Sequence, residues 1–270
     1  MRFLFLHKIN VVTCKFFLLT KRMLRNLAMP ESTEEKIIIS MTSWVKRINN
    51  VPLVIDSILK NTVQPDKIVL NLSIEEFPNL ENDLPDVVVK LEDDGVLEIG
   101  WQKGNTKAFK KIIPTMQKYP NDVIISIDDD FIYPIDFIQR FIKIHEKYPD
   151  SPLSGNTVGL FGAKMHCGCA SLVKSKFYGK YIEILFDENV AHIGTDDVFY
   201  TICAALSGYY YKYVGKEFFY NMQSVNSIDG ISDKCSKENI YRMMEYVNEK
   251  TIQKFNISVD VICSPKFKFL

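Results

Sequence analysis

Three aspartates in succession, Asp128, Asp129 and Asp130, end the apolar run VIISI and are followed at once by Phe131, Ile132 and Tyr133. Carboxylates a few ångströms apart repel one another and raise one another's pKa unless a cation compensates, and hard divalent ions such as Mg2+ or Mn2+ prefer oxygen ligands. Because Mg2+ keeps water and phosphate oxygens among its ligands, so short a carboxylate cluster suits a metal-diphosphate better than a caged ion. An extended segment would send Asp128 and Asp130 to the same side. The alternative, a solvated acidic turn, agrees poorly with the apolar flanks. A second acidic pair, Asp196 and Asp197, stands in GTDDVFYTICAALSG, where Thr195 or Asp196 can cap a helix that Gly208 would end. Capping accounts for one acid and not for both. The dipole of a helix favours the ionised form of a carboxylate in its first turn, which suits a base that must take a proton from a hydroxyl. Lys107, Lys110 and Lys111 precede the first cluster, and a lysine beside a diphosphate is a compact positive charge. The competing account of these lysines is a solvated helix face.

The elements that must hold these residues alternate between strand and helix. KIIIS is a short buried strand, and VPLVIDSILKNT carries Pro52 where a first helical turn tolerates it. KIVLNLS reads as the second strand and DVVVKLE as the third. NTKAFKKIIPTMQKYP then gives a helical stripe of Phe109, Ile112, Ile113 and Met116 that Pro114 kinks or ends, and DVIISI is the fourth strand. This β-α-β order predicts an α/β fold with a largely parallel sheet between helices, which binds ligands beyond the carboxyl ends of its strands. The aspartates follow such an end. Ser40, Thr42 and Ser43 follow another, where hydroxyls serve ligand contacts and turn chemistry equally well. Farther on, SKENIYRMMEYVNEK has helical spacing.

With 270 residues, 47% of them apolar and 12% aromatic, the chain can bury a sizeable core. Its formal charge is zero but unevenly spread: residues 1–28 hold six basic side chains and no acid, leaving 27 basic against 33 acidic in the remainder. The body is therefore near −6, which disfavours nucleic acid as a partner. Lys8 and Lys15 break the apolar run of the N-terminal segment well short of the roughly 20 residues that cross a bilayer. Residues 1–30 thus read as a basic amphipathic segment that either lies on an anionic membrane surface or packs on the body. The six cysteines show no framework spacing, which fits a reducing, cytoplasmic compartment, and C-x-C at Cys167 and Cys169 lacks the second pair of a four-ligand zinc site.

IDDDFIYP after an apolar strand, KAFKKIIPTMQKYP before it and GTDDVFY after it together resemble the bacterial GT-A fold glycosyltransferases of surface-polysaccharide gene clusters, related to family 2 glycosyltransferases. The resemblance runs from about Ile37 to Val214. It implies a nucleotide-diphosphate sugar donor, a D-x-D motif binding Mn2+ or Mg2+, and an aspartate base on a later helix. Carried over, Asp128 lies near the donor ribose or phosphate and, with Asp130, at the metal, and Asp129 is an extra contact. Lys111 matches the lysine of the family's K-K-L-I-P segment. Thr42, Ser43 and Arg47 become donor contacts, as does Gly168 in HCGCASLV, where the family has a glycine-rich segment. Asp197 matches the aspartate of the T-E-D motif, with Asp196 as second candidate. The implied reaction is inverting transfer to a glycan or lipid-linked acceptor in polysaccharide or lipopolysaccharide synthesis, peripheral on the inner face of the cell membrane. Residues 36–215 would form the catalytic domain, completed by a helical region at 216–270. NLSIEEF replaces the D-D-G-S of broader family 2, moving base recognition to Glu92, Asp93 or Asp94. A nucleotidyltransferase would share the fold, but SMTSWVKRINN lacks the glycine-rich loop it needs; a non-catalytic nucleotide-sugar-binding assembly subunit is the other alternative.

Overall fold

The computed structural model describes residues 35–160, 163–185, 196–215, 222–225, 245–246, 249–250 and 253, with the backbone alone at 157–160, 163–168, 185 and 198. β1 (Ile37–Thr42) leads to α1 (Val51–Leu59), β2 (Lys67–Ser73), α2 (Asp86–Asp93), β3 (Glu98–Gln102), a 3-10 turn at Lys107–Lys111, α3 (Ile113–Lys118) and β4 (Val123–Ile127). After the three aspartates come β5 (Phe131–Ile132), α4 (Phe137–Lys147), β6 (Leu153–Leu160), β7 (Ala163–Val173), α5 (Ile182–Leu185), α6 (Asp196–Leu206), β8 (Lys212–Tyr213) and β9 (Gln223–Ser224).

Seven strands form one sheet in the order β3-β2-β1-β4-β7-β6-β8. β1 pairs in parallel with β2 and β4, β2 with β3, and β6 with β8, while β7 runs antiparallel to both of its neighbours. Successive strand residues point to opposite faces, so a strand covered on both sides must be apolar throughout. Ile39, Leu70 and Ile125 accordingly pack with Val54 and Ile58 of α1 and Phe137 and Phe141 of α4. Ile38, Val69 and Ile124 face the other way, onto Phe109, Met116 and, from α6, Phe199 and Cys203. The result is a mostly parallel α/β sheet between two helical layers, as the β-α-β order predicts.

Two local expectations are corrected. DVVVKLE is not the third strand but α2: Val88 and Leu91 are buried three residues apart while Val87 is 42% exposed, a helical period, and Asp86 sits in a first turn where the dipole favours it. The true third strand contains Gly100, where a Cβ would stand 2.5 Å from Asn71 Oδ1 on the neighbouring β2 and displace that side chain. Glu92 and Asp93 therefore lie on α2, at the end from which β3 starts, and Glu92 Oε1 accepts the Ile99 N–H at 3.1 Å. Those acids are at the opposite edge of the sheet from the ligand-binding ends. Pro114 opens α3 instead of ending a helix, since the first turn has no use for its missing N–H. The C-terminal helix expected over residues 236–250 lies almost wholly outside the described residues, as do residues 1–28. Among the described residues no helix is long and apolar enough to cross a membrane.

Candidate active site

Parallel pairing of β1 with β4, from Ile37 opposite Val123 to Ser40 opposite Ser126, brings the loops that follow the two strands out together at the carboxyl edge of the sheet. Ser43 and Arg47 come from the first loop and the three aspartates from the second. Asp129 and Asp130 form a turn, so the acids depart from the alternation of an extended segment. Ser43 Oγ donates to Asp129 Oδ2 at 2.6 Å, and Arg47 Nη1 lies 3.0 Å from both Asp129 Oδ1 and Asp130 Oδ2. Asp128 accepts from Lys111 Nζ at 2.8 Å and stays close enough to raise the pKa of Asp130.

Lys111 joins the two acidic motifs. Its ammonium lies 3.6 Å from Asp196 Oδ2 at the start of α6, and Asp197 follows in the same first turn. Far from being a solvated helix charge, Lys111 is buried on a 3-10 turn. A relay of side chains fixes that turn to the sheet: Asn71 Nδ2 donates to Thr115 Oγ1 at 2.9 Å, Thr115 meets Ser40 Oγ at 2.6 Å, and Ser40 donates to the Lys111 carbonyl at 2.5 Å. The other lysines go elsewhere. Lys110 donates to Asn105 Oδ1 at 2.5 Å and to Glu76 at 3.3 Å, and Lys107 is exposed. Of the remaining expected residues, Thr42 uses its hydroxyl on the Asn71 carbonyl at 2.7 Å, tying β1 to β2, and Gly168 lies in β7 beside Cys169.

Burial alone would depress the Lys111 pKa, but Asp128, Asp196 and Asp197 overcome it and hold the ammonium well above its ordinary value. Burial likewise works against the Arg47 guanidinium, and Asp129 and Asp130 more than offset it. Asp129 is pushed up by burial despite Ser43 and Arg47, and Asp130 is pushed up to about 6 by burial and the neighbouring Asp128. Among the described residues, Lys111 and Arg47 are the cations that meet the carboxylates Asp128, Asp129, Asp130 and Asp196, with Asp197 adding to the field at Lys111. Asp130 Oδ1 is in addition buried without a hydrogen-bond partner. Among the described residues no three His, Cys, Asp or Glu side chains form a ready-made metal cage. The unpartnered Asp130 oxygen, with Asp128 and Asp129 beside it in sequence, fits a divalent ion, whose remaining ligands would be oxygens from outside the protein.

Tyr133 and the Asn71–Thr115–Ser40 relay escaped the sequence reading. A polar residue inside the apolar stripe KKIIPTMQ was the available sign of Thr115; the single tyrosine in DDDFIYP was that of Tyr133.

No family model and no curated protein matches this chain. Solved structures do. TarS of S. aureus superposes with a TM-score of 0.55 at 11% identity over 86% of this chain and 42% of its own length. The fold is that of the GT-A glycosyltransferases. The 1–349 segment of TarS in complex with UDP-GlcNAc gives a TM-score of 0.59 at 11% identity, over 86% of this chain and 71% of that one. The mannosyltransferase PcManGT from Pyrobaculum calidifontis, in complex with GDP-Man and Mn2+, gives 0.51 at 12% identity over 92% and 81%. This chain therefore spans less than half the length of that TarS chain. In its GT-A sheet both acidic motifs, Arg47 and Lys111 meet at the carboxyl edge.

Proposed function

We propose that the protein is a metal-dependent, inverting glycosyltransferase that moves a sugar from a nucleotide-diphosphate donor to a glycan or lipid-linked acceptor in bacterial polysaccharide or lipopolysaccharide synthesis. The observation that carries this reading is the meeting of Asp128–Lys111–Asp196 and Asp129–Arg47–Asp130 at the carboxyl edge of a GT-A sheet. Structures of similar fold that hold UDP-GlcNAc, or GDP-Man with Mn2+, support a nucleotide-sugar donor and a divalent metal.

In this reading Asp130 and Asp128 hold Mn2+ or Mg2+, which when bound neutralises the charge that gathers on the leaving diphosphate. Lys111 and Arg47 add fixed positive charge on either side of it, and Thr42, Ser43, Asp129 and Gly168 shape the donor pocket. Asp197 is the base. It takes the proton of the acceptor hydroxyl as that oxygen bonds the anomeric carbon; the bond from that carbon to the diphosphate oxygen breaks, and the nucleoside diphosphate departs. One displacement inverts the anomeric configuration. Asp196, 3.6 Å from the Lys111 ammonium, adds to the field that keeps the lysine charged and is the second candidate base. Residues 36–215 are the catalytic domain, 216–270 complete it, and the basic residues 1–28 hold it against the anionic inner face of the membrane.

Binding and hydrolysis of a panel of nucleotide sugars, with Mn2+ and with EDTA, test this. One donor is expected to bind only with metal, to lose binding in Asp130→Ala, and to bind without turnover in Asp197→Asn. A protein that binds no nucleotide sugar under either condition overturns the reading.

A further inference from the structure

We propose that Tyr133 is a positioning residue that sets where Asp128 stands, through a hydroxyl inserted between β4 and β7; this rests on the reading of Asp128 as a donor-site acid. β4 and β7 pair residue by residue, from Ile124 opposite Val173 to Ile127 opposite Ala170. The next rung of that ladder would join Asp128 to Cys169 directly. Instead, the Asp128 N–H donates to the Tyr133 hydroxyl oxygen at 2.8 Å, and the same hydroxyl donates to the Cys169 carbonyl at 2.6 Å. One phenol stands in for a backbone rung.

The consequence is geometric. A direct rung holds neighbouring strands roughly 4.7–4.9 Å apart. An interposed hydroxyl widens that gap at the residue where the chain must leave the sheet, yet leaves neither buried backbone group unpaired. Asp128 is thereby released from β7 and meets Lys111 at 2.8 Å, and Lys111 in turn lies 3.6 Å from Asp196.

Tyr133 is itself rigidly held. Its ring is buried and packs on Phe137 with centroids 4.4 Å apart. Its N–H donates to Ser57 Oγ at 3.1 Å, and Ser57 donates to the Val54 carbonyl within α1 at 2.7 Å. Asp130 has a separate anchor, since its carbonyl accepts the Val225 N–H at 2.7 Å where β9 lies along β5. The two ends of the acidic turn are thus fixed independently, and Tyr133 governs the Asp128 end.

Tyr133→Phe keeps the ring and removes the hydroxyl, so Asp128 either closes onto β7 or keeps an unpaired N–H. The full chain is titrated with UDP and with GDP in the presence of Mn2+, and kcat and KM are measured for whichever donor it uses. Tyr133→Phe is expected to weaken Mn2+-dependent nucleotide binding and raise the donor KM at least tenfold, with kcat at saturation changed less than threefold. Combined with Asp128→Asn it should add little, because Tyr133 acts on the site only through the placing of the Asp128 carboxylate, which the second change has already removed. Should the phenylalanine variant not fold, Tyr133→Leu, smaller than the ring it replaces and equally without a hydroxyl, is expected to give the same result. A variant that melts earlier but binds within twofold of wild type, or whose effect adds fully to that of Asp128→Asn, assigns Tyr133 to packing alone and overturns the proposal. If Asp128→Asn itself binds like wild type, the donor-site reading of Asp128 fails, and the proposal fails with it.

Discussion

Replacing Lys111 by methionine tests the central contact of the site, because it removes one charge and almost no volume. In the folded protein the ammonium lies 2.8 Å from Asp128 and 3.6 Å from Asp196, and its side chain is 9% exposed. Removing one partner of a buried ion pair leaves the other charge uncompensated, at a cost of about 3–5 kcal/mol. Asp128 retains some contact with water, its side chain being 24% exposed, which places the expected loss near the lower end, about 3 kcal/mol. Urea unfolding of wild type, Lys111→Met, Asp196→Asn and the double variant gives the cycle. The cost of Lys111→Met should shrink by more than about 1 kcal/mol once Asp196 is neutral, because the two residues are in direct contact. Nucleotide-sugar binding should fall with Lys111→Met as well, by about 1.5–3 kcal/mol for a lost charge-assisted contact. An effect on stability below about 0.5 kcal/mol would show a solvated surface lysine, and the reasoning that joins the two acidic motifs through Lys111 would be refuted.

Asp130→Asn should abolish Mn2+-dependent nucleotide binding while leaving the protein as stable at pH 7 or more stable by about 1–3 kcal/mol, since a carboxyl pushed up to about 6 is costly to ionise in the fold; parallel calorimetry and urea melts check both halves. Gly100→Ala should cost about 1–3 kcal/mol, as the added methyl meets Asn71 Oδ1 at 2.5 Å, and should weaken nucleotide binding by disturbing the relay from Asn71 to Lys111. Glu98 tests the acid limb away from the site: burial alone would raise its pKa, but Lys118 at 2.8 Å and Tyr119 at 2.7 Å hold it below its ordinary 4.5. A depressed carboxylate stabilises fully above its unfolded value and loses that contribution as pH falls through the folded one. Glu98→Gln should therefore be less stable than wild type by up to about 1 kcal/mol at pH 7, with the gap closing below pH 4.5 in melts run from pH 7 to pH 3.

Much of this fold was legible because burial on both faces leaves a strand little freedom of composition. KIVLNLS and VIISI read as strands, and they are β2 and β4. The third strand was not legible, since EIGWQ is short, holds one buried residue and depends on a glycine that only the neighbouring Asn71 explains. DVVVKLE misled through its β-branched run, because the helical spacing of Val88 and Leu91 is seen only once the layer they pack on is known.

The site divides along a similar line. Acids crowded after an apolar run call for a compensating cation whatever the surrounding fold. Which cation answers each acid is a matter of topology: Arg47 reaches Asp129 and Asp130 because β1 and β4 are neighbours, and Lys111 reaches Asp128 because Ser40, from β1, grips the carbonyl of Lys111 on its turn. Neither contact can be counted from spacing along the chain. What the pairing leaves behind is more informative than the pairing itself. Among the described residues, buried Lys111 and half-buried Arg47 pair with the acids, and one buried Asp130 oxygen is left without a hydrogen-bond partner. Burial pushes the Asp130 carboxyl up to about 6 and leaves one of its oxygens unpartnered, a cost that the proposed cation would offset, so Asp130→Asn should keep or improve stability and destroy binding in the same protein.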